Sequence, residues 1–172
     1  MIQKSTNIRK GAGVLPLAVY KGKIYLLLSR EGCGRNKGFY SDFGGTADSS
    51  ETIKETAIRE SYEESNGFLG TKSEIDKLIQ NKLITKLTSP TYTTYVVEVT
   101  YDKNLPKTFK NNLKYARKAF GNIMCKNGFY EKDKLKWVEL TNIKKFSKEL
   151  RPFYKKILTL DNLEKIRIYT PM

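Results

Sequence analysis

The most informative stretch of the sequence is GGTADSSETIKETAIRESYEESNG, from Gly44 to Gly67, in which a glycine pair leads directly into an acid-rich segment. Thr52 followed three residues later by Glu55 is a capping-box pattern, which predicts that the helix begins near Thr52. Asn66 and Gly67 predict where it ends, because both tolerate the left-handed backbone conformation of a helix end. The segment therefore predicts a loop-helix-loop unit.

Three glutamates share one side of this predicted helix. At about 100° of rotation per residue, Glu60, Glu63 and Glu64 fall within an arc of roughly 100°. Glu60 and Glu64 would repel each other by roughly a few tenths of a kcal/mol unless a cation lay between them. Carboxylate oxygens suit Mg²⁺ or Mn²⁺, so the spacing favours a metal site. A solvent-exposed acidic face is the alternative that spacing alone leaves open.

The wider pattern of the segment resembles the signature box of the Nudix hydrolase family. Its fixed positions recur with the family's gaps at Gly45, Glu51, Arg59-Glu60 and Glu63-Glu64. The resemblance implies an α/β fold, namely the Nudix α/β/α sandwich with a mixed β-sheet. Because the chain has 172 residues, no internal repeat and no linker, we expect a single domain over residues 1–172.

Three positions depart from the family pattern. Ser61 stands where the family has an aliphatic residue, and Asn66-Gly67 where it has a glycine and an aliphatic residue. We expect Ser61 to weaken helix packing, and Asn66-Gly67 to be the same helix stop moved by one residue. Phe68 or Leu69 would then supply the apolar anchor. No departure removes a carboxylate, so the resemblance implies an active site of slightly lower stability.

The resemblance also implies roles for the box residues. Divalent metal, Mg²⁺ or Mn²⁺, would be coordinated by the carbonyl oxygen of Gly44 and by the carboxylates of Glu60, Glu63 and Glu64. Glu60 would also help to deprotonate water. Arg59 would orient and pair with Glu51, which has a supporting role. This donor set suits a pyrophosphate substrate, whose negative charges a metal must neutralise before water can attack phosphorus.

Two further candidates lie outside the box. Glu131 precedes Trp137 by six residues, the interval at which the family places an additional acid, and we expect it to be an extra ligand or the general base. The alternative is a surface ion pair with the lysines at 132, 134 and 136. Arg30 ends the second of two predicted apolar strands, 11–20 and 24–28. It is either a substrate contact, as the resemblance implies, or a solvated strand end.

The chain is strongly basic, with a formal net charge of +14, and its charge is unevenly distributed. Residues 1–70 carry 10 Lys and Arg against 8 Asp and Glu, whereas residues 71–172 carry 22 against 10. The densest part is a predicted insertion at about 102–120, where Lys110, Lys114 and Arg117 are interleaved with aromatic residues. Basic side chains neutralise phosphates and aromatic rings stack on bases, which favours RNA as a substrate or partner. A lysine-rich soluble surface is the alternative.

Other residue types exclude whole classes of function. The chain has no histidine, which excludes Ser-His-Asp and Cys-His catalysis and any histidine-based zinc site. Cys33 and Cys125 stand far apart, so we expect free thiols in a reducing, cytoplasmic compartment. No signal peptide or membrane span is expected from the short apolar run that ends at Tyr20.

The sequence therefore predicts a metal-dependent hydrolase of a pyrophosphate bond in a nucleoside diphosphate-linked substrate. The basic second half favours the 5′ cap or 5′ polyphosphate end of RNA, as in mRNA decapping. Diphosphoinositol polyphosphates, ADP-ribose and dinucleoside polyphosphates are alternative substrates. A catalytically silent Nudix-like module that binds RNA or nucleotide is the alternative of another class, and a basic scaffolding protein would need none of the aligned acids.

Overall fold

A computed structural model describes residues 10–121 and 128–170, and a mixed sheet of seven strands forms its centre. The strands are β1 (Gly11–Tyr20), β2 (Lys23–Glu31), β3 (Tyr40–Ser41), β4 (Phe43–Thr46), β5 (Leu83–Ser89), β6 (Tyr92–Glu98) and β7 (Lys132–Glu139). β1 pairs in parallel with β6, and the remaining pairings are antiparallel: β1 with β2 and β4, β2 with β3 and β7, and β5 with β6. β1 and β2 are therefore the central strands of the sheet, each paired with three others.

The two predicted apolar strands are present, and they pair as an antiparallel hairpin. Lys21 and Gly22 connect them and have φ values of 50° and 68°. Both residues of a two-residue hairpin turn of this kind need a positive φ, which glycine adopts without steric cost. β2 extends beyond the predicted Leu28 as far as Glu31. As a result, its last residues reach the part of the molecule where the box lies.

The described residues form six α-helices beside the sheet. They are α1 (Ile53–Glu64), α2 (Lys72–Asn81), α3 (Leu105–Phe120), α4 (Ile143–Phe146), α5 (Pro152–Lys155) and α6 (Leu160–Tyr169). Alternate residues of β1 point to opposite faces of the sheet. Val14 packs with Ala57 of α1 and Ile75 of α2, whereas Leu15 packs with Tyr154 and Ile166 of the C-terminal helices. The α/β/α sandwich expected from the resemblance is therefore confirmed.

The basic segment at 102–120 is largely the regular helix α3, packed beside β7. Phe109 is buried and stacks edge-on against Phe68, so Phe109 belongs to the core and cannot stack on a base. Tyr115 and Phe120 are the exposed aromatics of this helix, at 75% and 73% of full exposure. The segment thus has one face built into the fold and another facing solvent.

The structure shows the state of one of the two cysteines. Cys33 is disulfide-bonded, so the expectation of a free thiol at that position is wrong. Cys125 lies outside the described residues. Within residues 10–121 and 128–170, none of the helices combines the length and the apolar character that crossing a bilayer would take.

Candidate active site

The segment 44–67 forms the loop-helix-loop unit that its sequence predicts. The Thr52 hydroxyl accepts a hydrogen bond from the backbone N–H of Glu55, and the Glu55 carboxylate accepts one from the N–H of Thr52, which completes the capping box. Asn66 and Gly67 have φ values of 53° and 76°. Their N–H groups donate to carbonyl groups in the last turn of α1 in the Schellman pattern, so the helix stop is confirmed.

Two departures from the family pattern make specific hydrogen bonds. The buried Ser61 hydroxyl donates to the Phe43 carbonyl of β4 at 3.0 Å, which ties the helix to the glycine loop. This bond offsets the loss of packing expected from a serine. The Asn66 side-chain oxygen accepts from the Tyr130 N–H at 2.9 Å. Asn66 therefore holds the end of α1 against the segment that carries Glu131.

Arg59 connects the supporting acid to two of the predicted metal ligands. Its Nε and Nη2 donate to the two carboxylate oxygens of Glu51 at 2.6 and 3.0 Å. Its Nη1 donates to Glu60 at 3.0 Å and to Glu63 at 3.2 Å. The hydrogen bond from Arg59 lowers the pKa of Glu51 to about 2, and the same interaction raises the pKa of Arg59. The predicted pairing of Arg59 with Glu51 is present in this geometry.

Glu64 is the most deeply buried acid of the box. Its Oε2 accepts from the Gly44 N–H at 2.7 Å, and its Oε1 lies 3.0 Å from the Lys132 ammonium. Burial raises the pKa of Glu64 to about 8, although the positive charge of Lys132 acts in the opposite direction. The backbone of Gly44 therefore contacts the acid that the resemblance assigns as a fellow ligand.

Lys132 and Arg151 are two cations that sequence reasoning missed. Lys132 is fully buried, and its Nζ lies 2.6 Å from the Glu31 carboxylate as well as 3.0 Å from Glu64. Burial alone would lower the pKa of Lys132, but the two carboxylates raise it. Arg151 donates to the same oxygen of Glu31 at 2.8 Å, and its guanidinium lies 4.7 Å from the Phe153 ring centre.

A cavity of about 520 Å³ lies between the box and three other parts of the chain. The box contributes Gly44, Gly45, Thr46, Asp48, Arg59, Glu60, Glu63 and Glu64; the other lining residues are Glu31, Cys33, Gly34, Arg35, Asn36, Gly128, Glu131 and Arg151. The structure therefore brings Glu131 into the same cavity as the three box glutamates. It also adds Arg35 and Arg151, whose positive charges suit a phosphorylated ligand.

The donor set of this cavity fits a hard divalent cation. Glu60, Glu63, Glu64 and Glu131 offer carboxylate oxygens, the ligand type of Mg²⁺ and Mn²⁺. Burial raises the pKa of Glu60 and of Glu131, and the negative charges of neighbouring carboxylates raise both further, which a cation would relieve. Across residues 10–121 and 128–170, no three acids or cysteines already form a ligand cluster. Glu60 and Glu63 contact Arg59 instead.

The structure does not bring Arg30 into the cavity. Its guanidinium makes two hydrogen bonds to the Asp133 carboxylate, at 2.7 and 2.9 Å, across the pairing of β2 with β7. Arg30 is absent from the described lining of the cavity. Apart from Arg59 of the box, the arginines in that lining are Arg35 and Arg151.

The three basic residues predicted to bind substrate all lie on α3, away from the cavity lining. Lys110, Lys114 and Arg117 are separated by three or four positions along the helix. Lys114 borders a second cavity of about 350 Å³ together with Asn111, Tyr115 and Lys118. The structure therefore groups these residues with each other and not with the box.

Two glycines of β1 let the box loop approach the sheet closely. A Cβ atom at Gly11 would lie 2.5 Å from the Gly45 carbonyl oxygen, and one at Gly13 would lie 2.5 Å from the Phe43 carbonyl oxygen. At Gly13 it would also lie 2.7 Å from the buried Asp42 carboxylate. Only glycine leaves room for the strand pairing that positions Gly44 under α1.

Comparison with known proteins supports the fold. No protein-family model and no curated protein matches the sequence. Two structures of a Caenorhabditis elegans Ap4A hydrolase are similar to this chain, at 17% and 16% sequence identity and with TM-scores of 0.54 and 0.52. Both matches cover 94% of this chain, and they cover 97% and 98% of the hydrolase chains. A bifunctional NMN adenylyltransferase/ADP-ribose pyrophosphatase from Francisella tularensis, complexed with AMP and a manganese ion, is 19% identical with a TM-score of 0.51, over 91% of this chain and 42% of that one. The chain therefore has the fold of the Nudix hydrolases.

Proposed function

We propose that this chain is a member of the Nudix family and a divalent-cation-dependent hydrolase of pyrophosphate bonds in nucleoside diphosphate-linked substrates. One observation carries the proposal: the box acids Glu60, Glu63 and Glu64 line one cavity together with Glu131. The Nudix fold and the clamp of Arg59 on Glu51 are consistent with it. A catalytically silent module would be expected to lack some of these acids.

Each group of cavity residues has a proposed task. Bound Mg²⁺ or Mn²⁺, held by Glu60, Glu63, Glu64 and the Gly44 carbonyl, would supply the charge that neutralises the pyrophosphate. Glu131 accepts the proton of the attacking water, because it lines the cavity and makes no described ion pair with a lysine or arginine. Arg35 and Arg151 contact the substrate phosphates, a task for which both are better placed than Arg30.

Small nucleotides are the first substrate candidates. The cavity volume of about 520 Å³ is in the range of small-molecule sites. The two similar proteins are named for Ap4A hydrolysis and for ADP-ribose pyrophosphatase activity, which makes both compounds natural members of a test panel. A substrate panel with Mg²⁺ and with Mn²⁺ should include Ap4A, ADP-ribose, nucleoside triphosphates, diphosphoinositol phosphates and capped RNA.

RNA 5′ ends form the second candidate because of the solvent face of α3. The helix contains five lysines and arginines and no acidic residue, and Phe109, Leu113 and Ala116 form its buried side. At about 100° per residue, the five basic residues fall within an arc of roughly 100° on the side away from these three. Tyr115 stands beside this basic stripe and is exposed, so a strand could contact both charge and ring.

The catalytic part of the proposal is tested with Glu63→Gln. We expect turnover of the best panel substrate to fall by about two orders of magnitude or more, because the change removes one proposed ligand charge. Glu98→Gln is the matched control, since Glu98 stands on β6 and does not line this cavity. Near-normal turnover by Glu63→Gln would contradict the metal assignment. If nothing in the panel is hydrolysed but nucleotides bind, the silent-module alternative is correct.

The RNA part is tested with a triple reversal on α3, Lys110→Glu, Lys114→Glu and Arg117→Glu. Processing of capped RNA should weaken at least about tenfold, whereas ADP-ribose hydrolysis should change little, because the stripe lies away from the cavity. The matched control reverses three exposed lysines of the C-terminal region, Lys155, Lys156 and Lys165. Equal effects of the two triple variants would mean that α3 is merely a basic surface.

A further inference from the structure

We infer that Lys132 is a positioning residue that holds the Glu64 carboxylate in place, and with it the face of α1 that lines the cavity. This inference rests on the proposed function, because it concerns how a proposed metal ligand is placed. Lys132 has no exposed surface, so it cannot contact substrate. Any influence it has on turnover must act through the groups it touches.

Lys132 and the backbone of the box each constrain one carboxylate oxygen of Glu64. The Lys132 ammonium lies 3.0 Å from Glu64 Oε1, while the Gly44 N–H lies 2.7 Å from Oε2. The carboxylate is therefore held at one end by β7 and at the other by β4. Because α1 also carries Glu60 and Glu63, fixing Glu64 helps to fix the face of the helix that lines the cavity.

If the ammonium of Lys132 served only to anchor β7, one carboxylate partner would be enough. Glu31 already supplies it, since its carboxylate lies 2.6 Å from Lys132, and Arg151 lies 2.8 Å from the same oxygen. The four side chains together form a cluster of two carboxyl groups and two basic groups. Within it, the contact with Glu64 is the one that reaches the box, whereas the contacts of Glu31 anchor the ends of β2 and β7.

Lys132 also lies next to Glu131 in the chain. β7 begins at Lys132, and the Glu131 carbonyl accepts from the Gly32 N–H at 2.7 Å. The side chain of Lys132 points inwards to the box, while Glu131 lines the cavity. One residue therefore joins the proposed general base to a proposed metal ligand, and a change at Lys132 should disturb both.

The test compares Lys132→Gln with Glu31→Gln. Both variants remove one charge from the same cluster, but only the first removes the contact with Glu64. Mn²⁺ affinity is measured by the free-ion electron paramagnetic resonance signal, and turnover on the best panel substrate is resolved into kcat and KM. We expect Lys132→Gln to weaken Mn²⁺ binding and lower kcat by about 10- to 100-fold each with little change in KM. Glu31→Gln keeps the contact of Lys132 with Glu64 but removes the partner of Arg151, a proposed phosphate contact, so it should change Mn²⁺ affinity less than about threefold and raise KM more than it lowers kcat.

A double variant, Glu31→Gln with Lys132→Gln, covers the case in which the single lysine variant does not fold. It removes one acid together with one base and leaves Glu64 and Arg151, and it should show the same loss of Mn²⁺ affinity as Lys132→Gln. Wild-type Mn²⁺ affinity and kcat in a folded Lys132 variant would overturn the inference. So would failure of both Lys132 variants to fold while Glu31→Gln folds, or an equal loss of Mn²⁺ affinity in the two single variants. A wild-type chain that neither binds Mn²⁺ nor hydrolyses any panel substrate would instead refute the proposed function.

Discussion

Replacing Glu51 by glutamine should destabilise the fold by about 1–2 kcal/mol at neutral pH, because it breaks the clamp on Arg59. The hydrogen bond from Arg59 lowers the pKa of Glu51 from 4.5 to about 2. Without solvent screening, a pKa shift of that size would contribute roughly 3 kcal/mol to the free energy of unfolding. Solvent screens part of it, since the side chains of Glu51 and Arg59 are 17% and 20% exposed. The remaining effect corresponds to a fall in Tm of about 3–6 °C for a domain of this length.

The sign of the pH dependence gives this prediction a second test. Because the pKa is lowered in the folded state, the stabilisation is complete above the ordinary value of 4.5 and is lost as the pH falls towards 2. The deficit of Glu51→Gln, measured by urea denaturation, should therefore shrink between pH 7 and pH 3.

Glu164→Gln is the matched control for Glu51→Gln. It also breaks a glutamate-arginine pair, with Arg167 at 2.6 Å, but those two side chains are 49% and 67% exposed. It should cost less than about 0.5 kcal/mol. The reasoning is refuted if Glu51→Gln behaves like this control at pH 7, or if its deficit is the same at pH 7 and pH 3.

Three further changes probe how the box is held. Ser61→Ala should cost about 1 kcal/mol in urea denaturation, because the Phe43 carbonyl loses its buried donor; an unchanged midpoint would show that this bond contributes nothing. Asn66→Gly keeps the left-handed backbone but loses the bond to the Tyr130 N–H, so stability should change by less than about 1 kcal/mol while kcat falls more than KM rises; a change in KM alone would contradict this. Gly13→Ala should cost about 3 kcal/mol or more, because its Cβ meets backbone, and soluble protein with a wild-type Tm would contradict the packing.

The box could be predicted in detail because its signals are local. A capping box, a helix stop and the 100° rotation per residue all act within a few positions of each other, so Thr52, Asn66 and the three glutamates needed no tertiary information. The resemblance added the pairing of Arg59 with Glu51, which joins residues eight positions apart. The sandwich followed from the family resemblance and not from the local pattern.

The environment of Lys132 could not be predicted because it depends on a partner 101 positions away. Lysines alternate at 132, 134 and 136, and nothing local shows that only the first points into the molecule, opposite Glu31. The same reason applies to Arg30. Its partner Asp133 is supplied by the pairing of β2 with β7, and that pairing leaves the cavity to arginines from elsewhere in the chain.

The basic segment shows a third limit of sequence reasoning. Interleaved aromatic and basic residues at 102–120 suggested stacking on bases, but the helical period places the aromatic residues on different faces of the helix. Phe109 falls on the buried side with Leu113, and Tyr115 does not. The period could be calculated from the sequence, whereas the direction in which the helix faces is set by its packing beside β7.

The close approach of β1 to the box has a consequence for how alignments of related chains should be interpreted. Gly11 and Gly13 touch no proposed substrate or metal, yet any side chain there would collide with the backbone that carries Gly44. Among relatives, or in a saturation mutagenesis screen, these two positions should tolerate as little variation as the box carboxylates. Ranking positions by invariance alone would therefore mistake a steric requirement for chemistry, and only assays that separate folded yield from turnover would distinguish the two.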